Sequence, residues 1–215
     1  MKLYTYFRSS AAYRVRIALN VKGLIAEHIP KHLLRGGGEH QLDDYLALNP
    51  QGLVPALEHE GRVIGQSLAI IEYLEDICPD PPLLPPDPGE RAVVRSMALA
   101  IACDIHPLNN LRVLEYLKGP LAQDAAAVGR WYAHWVATGF RALEQMAQRS
   151  SADGRHLYGG SVTLADVLLV PQMYNARRFG CELGPYPTLV SISGYLESLP
   201  PFAAARPEVQ PDAGS

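Results

Sequence analysis

Cysteine is scarce in this sequence. Three cysteines, Cys78, Cys103 and Cys181, lie far apart in a chain of 215 residues, and they form neither a CxxC pair nor a zinc-ligand spacing. A sparse, odd number of thiols is typical of proteins from a reducing compartment. We therefore expect a cytoplasmic protein, and we expect no metal site because no cluster of metal ligands is visible.

Long apolar runs and an excess of positive charge are also missing. No apolar stretch approaches the ~18–20 residues that a membrane-spanning helix needs. The opening MKLYTYF shows no secretory h-region, so we expect no secretory leader. The net charge of -3 leaves no basic surface for nucleic acid and no polybasic membrane patch. We expect neither nucleic acid nor membrane as a partner.

Proline, by contrast, is concentrated in one place. Residues 79–88 read PDPPLLPPDP, and six of these ten residues are proline. Proline lacks the amide donor and cannot continue a helix, so this stretch predicts a stiff, extended linker. It divides the chain into a first domain at 1–78 and a second at 89–205. The polar residues 206–215 predict a loose tail.

The first domain mixes the periodicities of strands and helices. The predicted elements are strands at 3–7, 26–30, 54–57 and 62–65, and helices at 10–22, 41–48 and 67–78. Their order is β-α-β-α-β-β-α, which indicates an α/β layer fold.

The second domain has only helical periodicity. Long helical patterns cover 91–117 and 124–148, and a last short helix is predicted at 188–199. Thr163-Leu-Ala-Asp166 is a helix-opening signature ahead of an apolar run, so it predicts a helix at about 164–178. The whole chain is thus predicted to be an α/β domain followed by an all-α domain.

Three local features of the first domain point to one site. Ser9 and Ser10 stand where a strand turns into a helix, and Gln66-Ser67 opens another helix, whose free amides favour a carboxylate. Between them, Val54-Pro55 is a candidate cis peptide that would present the Val54 backbone to an extended ligand. Each serine taken alone is more often a simple helix cap.

These features, in this order, resemble the zeta class of glutathione transferases over about residues 1–212. The matching segments are YFRSS from Tyr6, RVRIAL from Arg14, ALNPQGLVP from Ala47, QSLAIIEYLE from Gln66, TLAD from Thr163 and PYP from Pro185. The resemblance implies a thioredoxin-like first domain, an all-helical second domain, bound glutathione and a homodimer.

The resemblance also implies residue roles around glutathione. Ser9 is the expected hydrogen-bond partner of the thiolate, with Ser10 beside it, and a helix N-terminus favours the same charge. The residues expected to bind the rest of glutathione are His40, Gln51, Val54, Pro55, Gln66, Ser67, Asp104 and His106. Many zeta members carry a cysteine where this chain has Ala11, which weakens any expectation of thiol-exchange chemistry.

Bacterial members with the segment Asp104-Ile-His-Pro-Leu-Asn-Asn110 are maleylacetoacetate and maleylpyruvate isomerases. The implied reaction is a glutathione-dependent cis–trans isomerisation of a dicarboxylate cis-enone, by reversible thiolate addition. Arginine binds carboxylates through two parallel donors, and the residues expected to act on substrate are Arg8, Asn110, Arg112 and Arg178. Arg14 and Arg16 are predicted to lie on the helix surface or in a domain contact.

Three other functions remain open at this point. Maleylpyruvate is an alternative to the favoured maleylacetoacetate, since the sequence does not measure the length of the pocket. A broad glutathione transferase or an α-haloacid dehalogenase would use the same thiolate with a different leaving group. A non-catalytic binding module is also possible because a fold does not fix a function, although the retained Ser9, Gln66 and Ser67 disfavour it.

Overall fold

The computed structural model describes residues 1–214, which divide into two compact units. The first unit comprises Met1–Pro82 together with the segment that begins at Leu199, and the second comprises Leu83–Ser198. None of the helices within residues 1–214 is long and apolar enough to cross a membrane.

Within the described residues, the first unit contains a four-stranded sheet. The strands are β1 (Lys2–Thr5), β2 (Glu27–Pro30), β3 (Ala56–His59) and β4 (Arg62–Gly65), in the order β2-β1-β3-β4. β2 runs parallel to β1, whereas β3 is antiparallel to both β1 and β4. Helices α1 (Ser10–Val21), α2 (Asp43–Leu48) and α3 (Ser67–Ile77) complete the predicted β-α-β-α-β-β-α order.

The core of this unit lies between the sheet and the helices α1 and α3. Leu3, Leu57, Val15 and Ile70 are all completely buried there, and each such side chain contributes roughly 1.5–3 kcal/mol when it leaves water. The β3–β4 hairpin turns at Gly61, whose φ of 75° is unfavourable for residues with a Cβ. β1 ends at Thr5 and α1 begins at Ser10, so the two serines lie at the short turn that leaves the sheet.

A buried lysine ties the beginning of the proline-rich segment to the first unit. Lys22 ends α1, and its ammonium group donates to the carbonyl oxygens of Cys78 at 2.7 Å and Pro81 at 2.8 Å and pairs with Glu75. These carbonyls lie beyond α3, and the first unit includes the chain as far as Pro82.

The second unit consists of helices. They are α4 (Pro88–Leu99), which continues as a π-helical segment at Ala100–Ile105, then α5 (Leu111–Lys118), α6 (Ala125–Ser150), α7 (Leu164–Arg178) and α8 (Pro187–Ser198). The single helix predicted at 91–117 is therefore wrong. Pro107 cannot supply the amide that a continuing helix needs, and Asn110 starts α5 as a new N-cap.

At the start of two helices of this unit, backbone amides donate to a buried carboxylate. Asp166 accepts hydrogen bonds from both the amide and the hydroxyl of Thr163, which confirms the predicted helix start at residue 164. Glu144 of α6 accepts the amides of Thr188 and Leu189 at the start of α8. These carboxylates satisfy amides that have no partner within their own helix.

The C-terminal residues are packed against the first unit, so the prediction of a loose tail at 206–215 is wrong for the described part. A short helix α9 (Pro200–Ala203) and a 3-10 turn at Pro207–Val209 lead to Gln210 and Asp212, which are both buried. The Gln210 amide group donates to the carbonyls of Ala204 and Arg206. Polar side chains with buried partners hold this segment, and composition alone does not reveal them.

Candidate active site

The turn between β1 and α1 presents one serine and buries the other. The Ser9 amide donates to the Tyr6 carbonyl at 3.0 Å, and the Ser9 hydroxyl oxygen caps α1 by accepting the Ala12 amide at 3.2 Å. A hydroxyl that accepts a cap bond still has its own hydrogen to donate. Ser10 is buried and Ser9 half-buried, so Ser9 is the serine that a ligand can reach.

Arg8 is held in place within the same turn. Its Nη2 atom donates to the Tyr6 hydroxyl at 3.0 Å, and its guanidinium carbon lies 5.0 Å from the centre of the Phe7 ring. Among residues 1–214 its Nε atom is buried without a hydrogen-bond partner. A fixed guanidinium beside a serine at a helix N-terminus is suited to anionic ligands.

The loop before β3 contains the predicted cis bond and is held by hydrogen bonds to the preceding residue. The Val54–Pro55 peptide is cis, as the sequence predicted, and both residues are buried. The preceding Leu53 carbonyl accepts the Tyr45 hydroxyl at 2.7 Å and the Asn49 amide group at 2.8 Å. These bonds fix the backbone that leads into Val54.

The start of α3 brings together three predicted binding residues. Gln66 has a φ of 65°, an unusual left-handed conformation for a residue with a side chain, and its Nε2 atom donates to Gln51 Oε1 at 3.0 Å. Within the described chain, no side chain caps the first amides of α3. Uncapped amides at a helix N-terminus suit a carboxylate ligand, and a strained backbone conformation is often found at ligand-binding sites.

Ser67 is oriented by an arginine that the sequence placed elsewhere. Arg14 is buried, and its Nη1 atom donates to the Ser67 hydroxyl oxygen at 3.2 Å. Arg16 is buried as well and bonds to backbone carbonyls. The prediction that both arginines lie on the helix surface or in a domain contact is therefore wrong, because both side chains are buried and donate hydrogen bonds to groups of the first unit.

His40 offers another polar group in the first unit. It lies in a 3-10 turn at Glu39–Gln41 and is half-buried, and burial lowers the pKa of its imidazole. Its Nδ1 atom is buried and makes no hydrogen bond within residues 1–214. A neutral imidazole with an unpartnered nitrogen can bind a polar ligand.

The remaining predicted residues lie in the second unit. Asp104 is exposed in the π-helical segment, and His106 follows it, half-buried. The Asn110 Oδ1 atom caps α5 by accepting the Arg112 amide at 3.2 Å. This cap uses the oxygen of Asn110 and orients the amide group, whose nitrogen is the donor that a substrate oxygen needs.

Arg178 lies against a stacked pair of aromatic rings. The Arg178 guanidinium lies 4.9 Å from the centre of the Phe179 ring, and that ring stacks on Tyr132 at 3.9 Å. Asn109 Nδ2 donates to the Tyr132 carbonyl at 3.2 Å. Arg112 and Arg178 are both exposed, and the stacked pair lies against the guanidinium of Arg178.

Comparison with known proteins identifies the family. Residues 3–82 match the family model described as glutathione S-transferase, N-terminal domain. A probable maleylacetoacetate isomerase from Vibrio cholerae is 49% identical over 98% of this chain and 97% of its own. The holo structure of a maleyl pyruvate isomerase, described as a bacterial zeta-class glutathione S-transferase, superposes with a TM-score of 0.95 at 46% identity, over 99% of this chain and 100% of that one.

This chain belongs to the zeta class of the glutathione S-transferases. A structure of maleylacetoacetate isomerase from Methylobacterium extorquens AM1, with bound malonate and GSH, has a TM-score of 0.93 at 38% identity and covers 100% of both chains. The two-domain glutathione S-transferase fold implied by the sequence is confirmed.

Sequence reasoning missed several residues that support this glutathione S-transferase site. Tyr6 orients Arg8, Arg14 orients Ser67, and the Tyr132–Phe179 pair lies beside Arg178. Arg14 lies within the segment RVRIAL, which resembles the zeta class, and this resemblance could have pointed to a role for it. A charged residue on a helix usually faces water, however. The aromatic pair joins residues 47 positions apart and leaves no local pattern.

Proposed function

We propose that this chain is a glutathione-dependent cis–trans isomerase that converts maleylacetoacetate to fumarylacetoacetate. The observation that carries the proposal is the cysteine-free turn between β1 and α1, in which Ser9 caps α1 and the neighbouring Arg8 is held by Tyr6. A relative with 49% identity over nearly its whole length is described as a probable maleylacetoacetate isomerase.

The first unit offers groups that would bind both the γ-glutamyl and the cysteinyl parts of glutathione. The uncapped amides of α3, with Gln66, Ser67 and Gln51, would bind the γ-glutamyl carboxylate. The Val54 backbone would pair with the cysteinyl residue. His40, Asp104 and His106 are the candidates for the remaining polar groups, and the unpartnered His40 nitrogen supports the first of them.

Bound glutathione supplies the thiolate that adds to the cis double bond and leaves after rotation about the resulting single bond. The Ser9 hydroxyl would donate to the sulfur, and the positive end of the α1 dipole would lower the free energy of its anionic form. Ser10 is buried as the first residue of α1. The catalyst is recovered, so the net reaction is isomerisation.

Arginines would bind the two carboxylates of the substrate. Arg8 is fixed by Tyr6, and Arg112 and Arg178 stand exposed on α5 and α7. The Asn110 amide nitrogen would donate to the carbonyl oxygen on which negative charge develops during addition. These assignments rest on the resemblance and on the exposure of the side chains.

Maleylpyruvate is the second candidate substrate. The structure with a TM-score of 0.95 is that of a maleyl pyruvate isomerase, at 46% identity, which is close to the 49% of the relative described as a probable maleylacetoacetate isomerase. The two substrates share the reacting cis-diacid end, so the same residue roles would apply. Transferase or dehalogenase activity toward α-haloacids would be a side reaction of the same thiolate.

A homodimer in the cytoplasm completes the proposal. The dimer is implied by the resemblance to the zeta class, and the compartment by the sparse thiols, none of which forms a disulfide among the described residues. Size-exclusion chromatography with light scattering tests the first part directly.

Adjacent arginines allow a matched test of the proposed reaction. Isomerisation of maleylacetoacetate, coupled to fumarylacetoacetate hydrolase, is measured with and without glutathione for the wild type, Arg178→Ala and Arg177→Ala. Arg177 is engaged with Glu197 and Ser193, so its loss is expected to change kcat/KM less than about twofold. Loss of a charged substrate contact of about 1.5–3 kcal/mol predicts a fall of roughly 10- to 100-fold for Arg178→Ala.

Each outcome separates the candidate functions. Turnover of maleylacetoacetate that requires catalytic glutathione supports the proposal. Turnover of maleylpyruvate alone assigns the second candidate. Wild-type protein that binds glutathione but isomerises neither compound contradicts the isomerase assignment and favours the transferase. Equal losses in both arginine variants contradict the role of Arg178.

A further inference from the structure

The C-terminal end of the chain contacts the turn that carries Arg8 and Ser9. Asp212 Oδ2 accepts the backbone amide of Phe7 at 2.9 Å, across 205 positions of sequence. From the other direction, Arg16 Nη2 donates to the Phe7 carbonyl at 2.9 Å. The two peptide groups that flank the Phe7 side chain are therefore both bonded to charged side chains.

Arg16 joins the turn to the C-terminal segment. Its Nε atom donates to the Ala205 carbonyl at 3.1 Å, and its Nη1 atom donates to the Thr5 hydroxyl at 3.1 Å and contacts the Tyr6 carbonyl at 3.4 Å. Only 1% of Arg16 and 9% of Asp212 is exposed. Charge-assisted bonds in such surroundings are shorter and stronger than neutral ones, and losing one leaves a buried polar group unsatisfied.

These contacts reach the catalytic turn through its backbone. The Tyr6 carbonyl that Arg16 contacts also accepts the Ser9 amide at 3.0 Å. A shift of Phe7 would therefore displace both the Arg8 guanidinium, which lies over the Phe7 ring, and the Ser9 hydroxyl. A misplacement of about 1 Å at a reacting group costs on the order of 100-fold in rate.

We propose that Asp212 is a positioning residue for the isomerisation, and that with Arg16 it fixes the Tyr6–Ser9 turn on which Arg8 and Ser9 act. Asp212 bonds to the backbone of the turn, so its effect on the reaction is exerted through Arg8 and Ser9. The catalytic part of this inference rests on the proposed function. The buried Gln210, two residues before Asp212, donates to the carbonyls of Ala204 and Arg206 and so anchors the segment that carries Asp212.

Three variants of the full chain test the proposal. Asp212→Ala removes the acceptor, and Asp212→Asn keeps an oxygen that can accept the Phe7 amide. Glu208→Ala is the matched control, because Glu208 is an exposed acid in the same segment. The measurements are kcat, KM for glutathione, the pH titration of the bound thiol by its ultraviolet thiolate absorbance, and hydrogen exchange of the peptide that covers residues 7–12.

For Asp212→Ala we expect kcat to fall by roughly 3- to 30-fold, less than a full 1 Å displacement would cost. Hydrogen exchange at residues 7–12 becomes faster, and the bound thiol titrates at higher pH because Ser9 is less well placed. KM for glutathione changes less than about twofold, since Gln66, Ser67 and Val54 keep their contacts. Asp212→Asn recovers most of kcat, and Glu208→Ala matches the wild type.

The proposal is overturned if Asp212→Ala and Glu208→Ala have the same kcat and the same exchange at residues 7–12. It is also overturned if Asp212→Ala only lowers the melting temperature while the kcat of the folded protein is unchanged. Failure of the proposed function shows itself differently: the wild type would not isomerise the cis-enones, whereas the exchange and the titration of bound glutathione would still report the contact between Asp212 and the turn.

Discussion

At the scale of single residues, the site depends on side chains that orient other side chains. Arg8 is the candidate carboxylate ligand nearest Ser9, and the Tyr6 hydroxyl accepts its Nη2 hydrogen at 3.0 Å. Tyr6 itself is buried, with its ring edge against His32. A guanidinium fixed before substrate arrives loses less entropy on binding.

Removal of the Tyr6 hydroxyl is expected to weaken substrate binding through Arg8. A lost hydrogen bond to a charged group of about 1.5 kcal/mol predicts that Tyr6→Phe raises KM for the dicarboxylate about tenfold. Tyr4→Phe is the control, because Tyr4 donates to Glu58 instead. Steady-state kinetics of the two variants decide the matter, and identical KM values would mean that Tyr6 does not orient Arg8 for substrate.

At the scale of elements, the sequence predicts those helices and strands whose positions follow from local hydrophobic periodicity and helix-start motifs. The α/β order of the first domain and the start of α7 at Thr163 follow from such patterns. The long helix at 91–117 was wrong because apolar spacing continues through Pro107, where the backbone cannot. The buried roles of Arg14 and Arg16 were out of reach, since the Ala205 carbonyl that accepts Arg16 is 189 positions away.

The start of α7 also predicts how stability depends on pH. Burial raises the pKa of Asp166 to about 6, although hydrogen bonds from Leu157 and Thr163 and the nearby His156 oppose this. The folded chain holds the Asp166 proton more tightly than the unfolded chain does. The resulting contribution to the free energy of unfolding is therefore complete below about pH 4 and is lost as pH rises through about 6. We expect this group to lower the free energy of unfolding by at most about 3 kcal/mol over that range.

Comparison with Asp166→Asn isolates the contribution of this carboxyl from those of other acids. Asparagine does not titrate, so the wild-type free energy of unfolding minus that of the variant should decrease between pH 4 and 6. Urea unfolding at several pH values measures this difference. A difference that stays flat or increases with pH would show that the Thr163 and Leu157 donors outweigh burial.

At the scale of the whole molecule, the residues proposed to hold the γ-glutamyl end of glutathione all belong to the first unit. Gln51 and Gln66 bond to each other, and Ser67 follows at the start of α3. The proposed dicarboxylate ligands Arg112 and Arg178 belong to the second unit. We therefore expect glutathione binding to be measurable without substrate. Substitutions of these first-unit residues should weaken it while Arg112 and Arg178 stay unchanged.

Thermal unfolding with glutathione analogues tests this division. Glutathione at a hundred times its Kd should stabilise the protein by about 2.7 kcal/mol. S-methylglutathione should do nearly the same at a matched multiple of its own Kd, whereas the dipeptide Cys-Gly, which lacks the γ-glutamyl group, should stabilise far less. Gln66→Gly is the most informative variant, because glycine tolerates the φ of 65° and the substitution removes only the side chain. Its ligand-free melting temperature should stay the same or rise while the glutathione shift shrinks; an unchanged shift would remove Gln66 from the binding site.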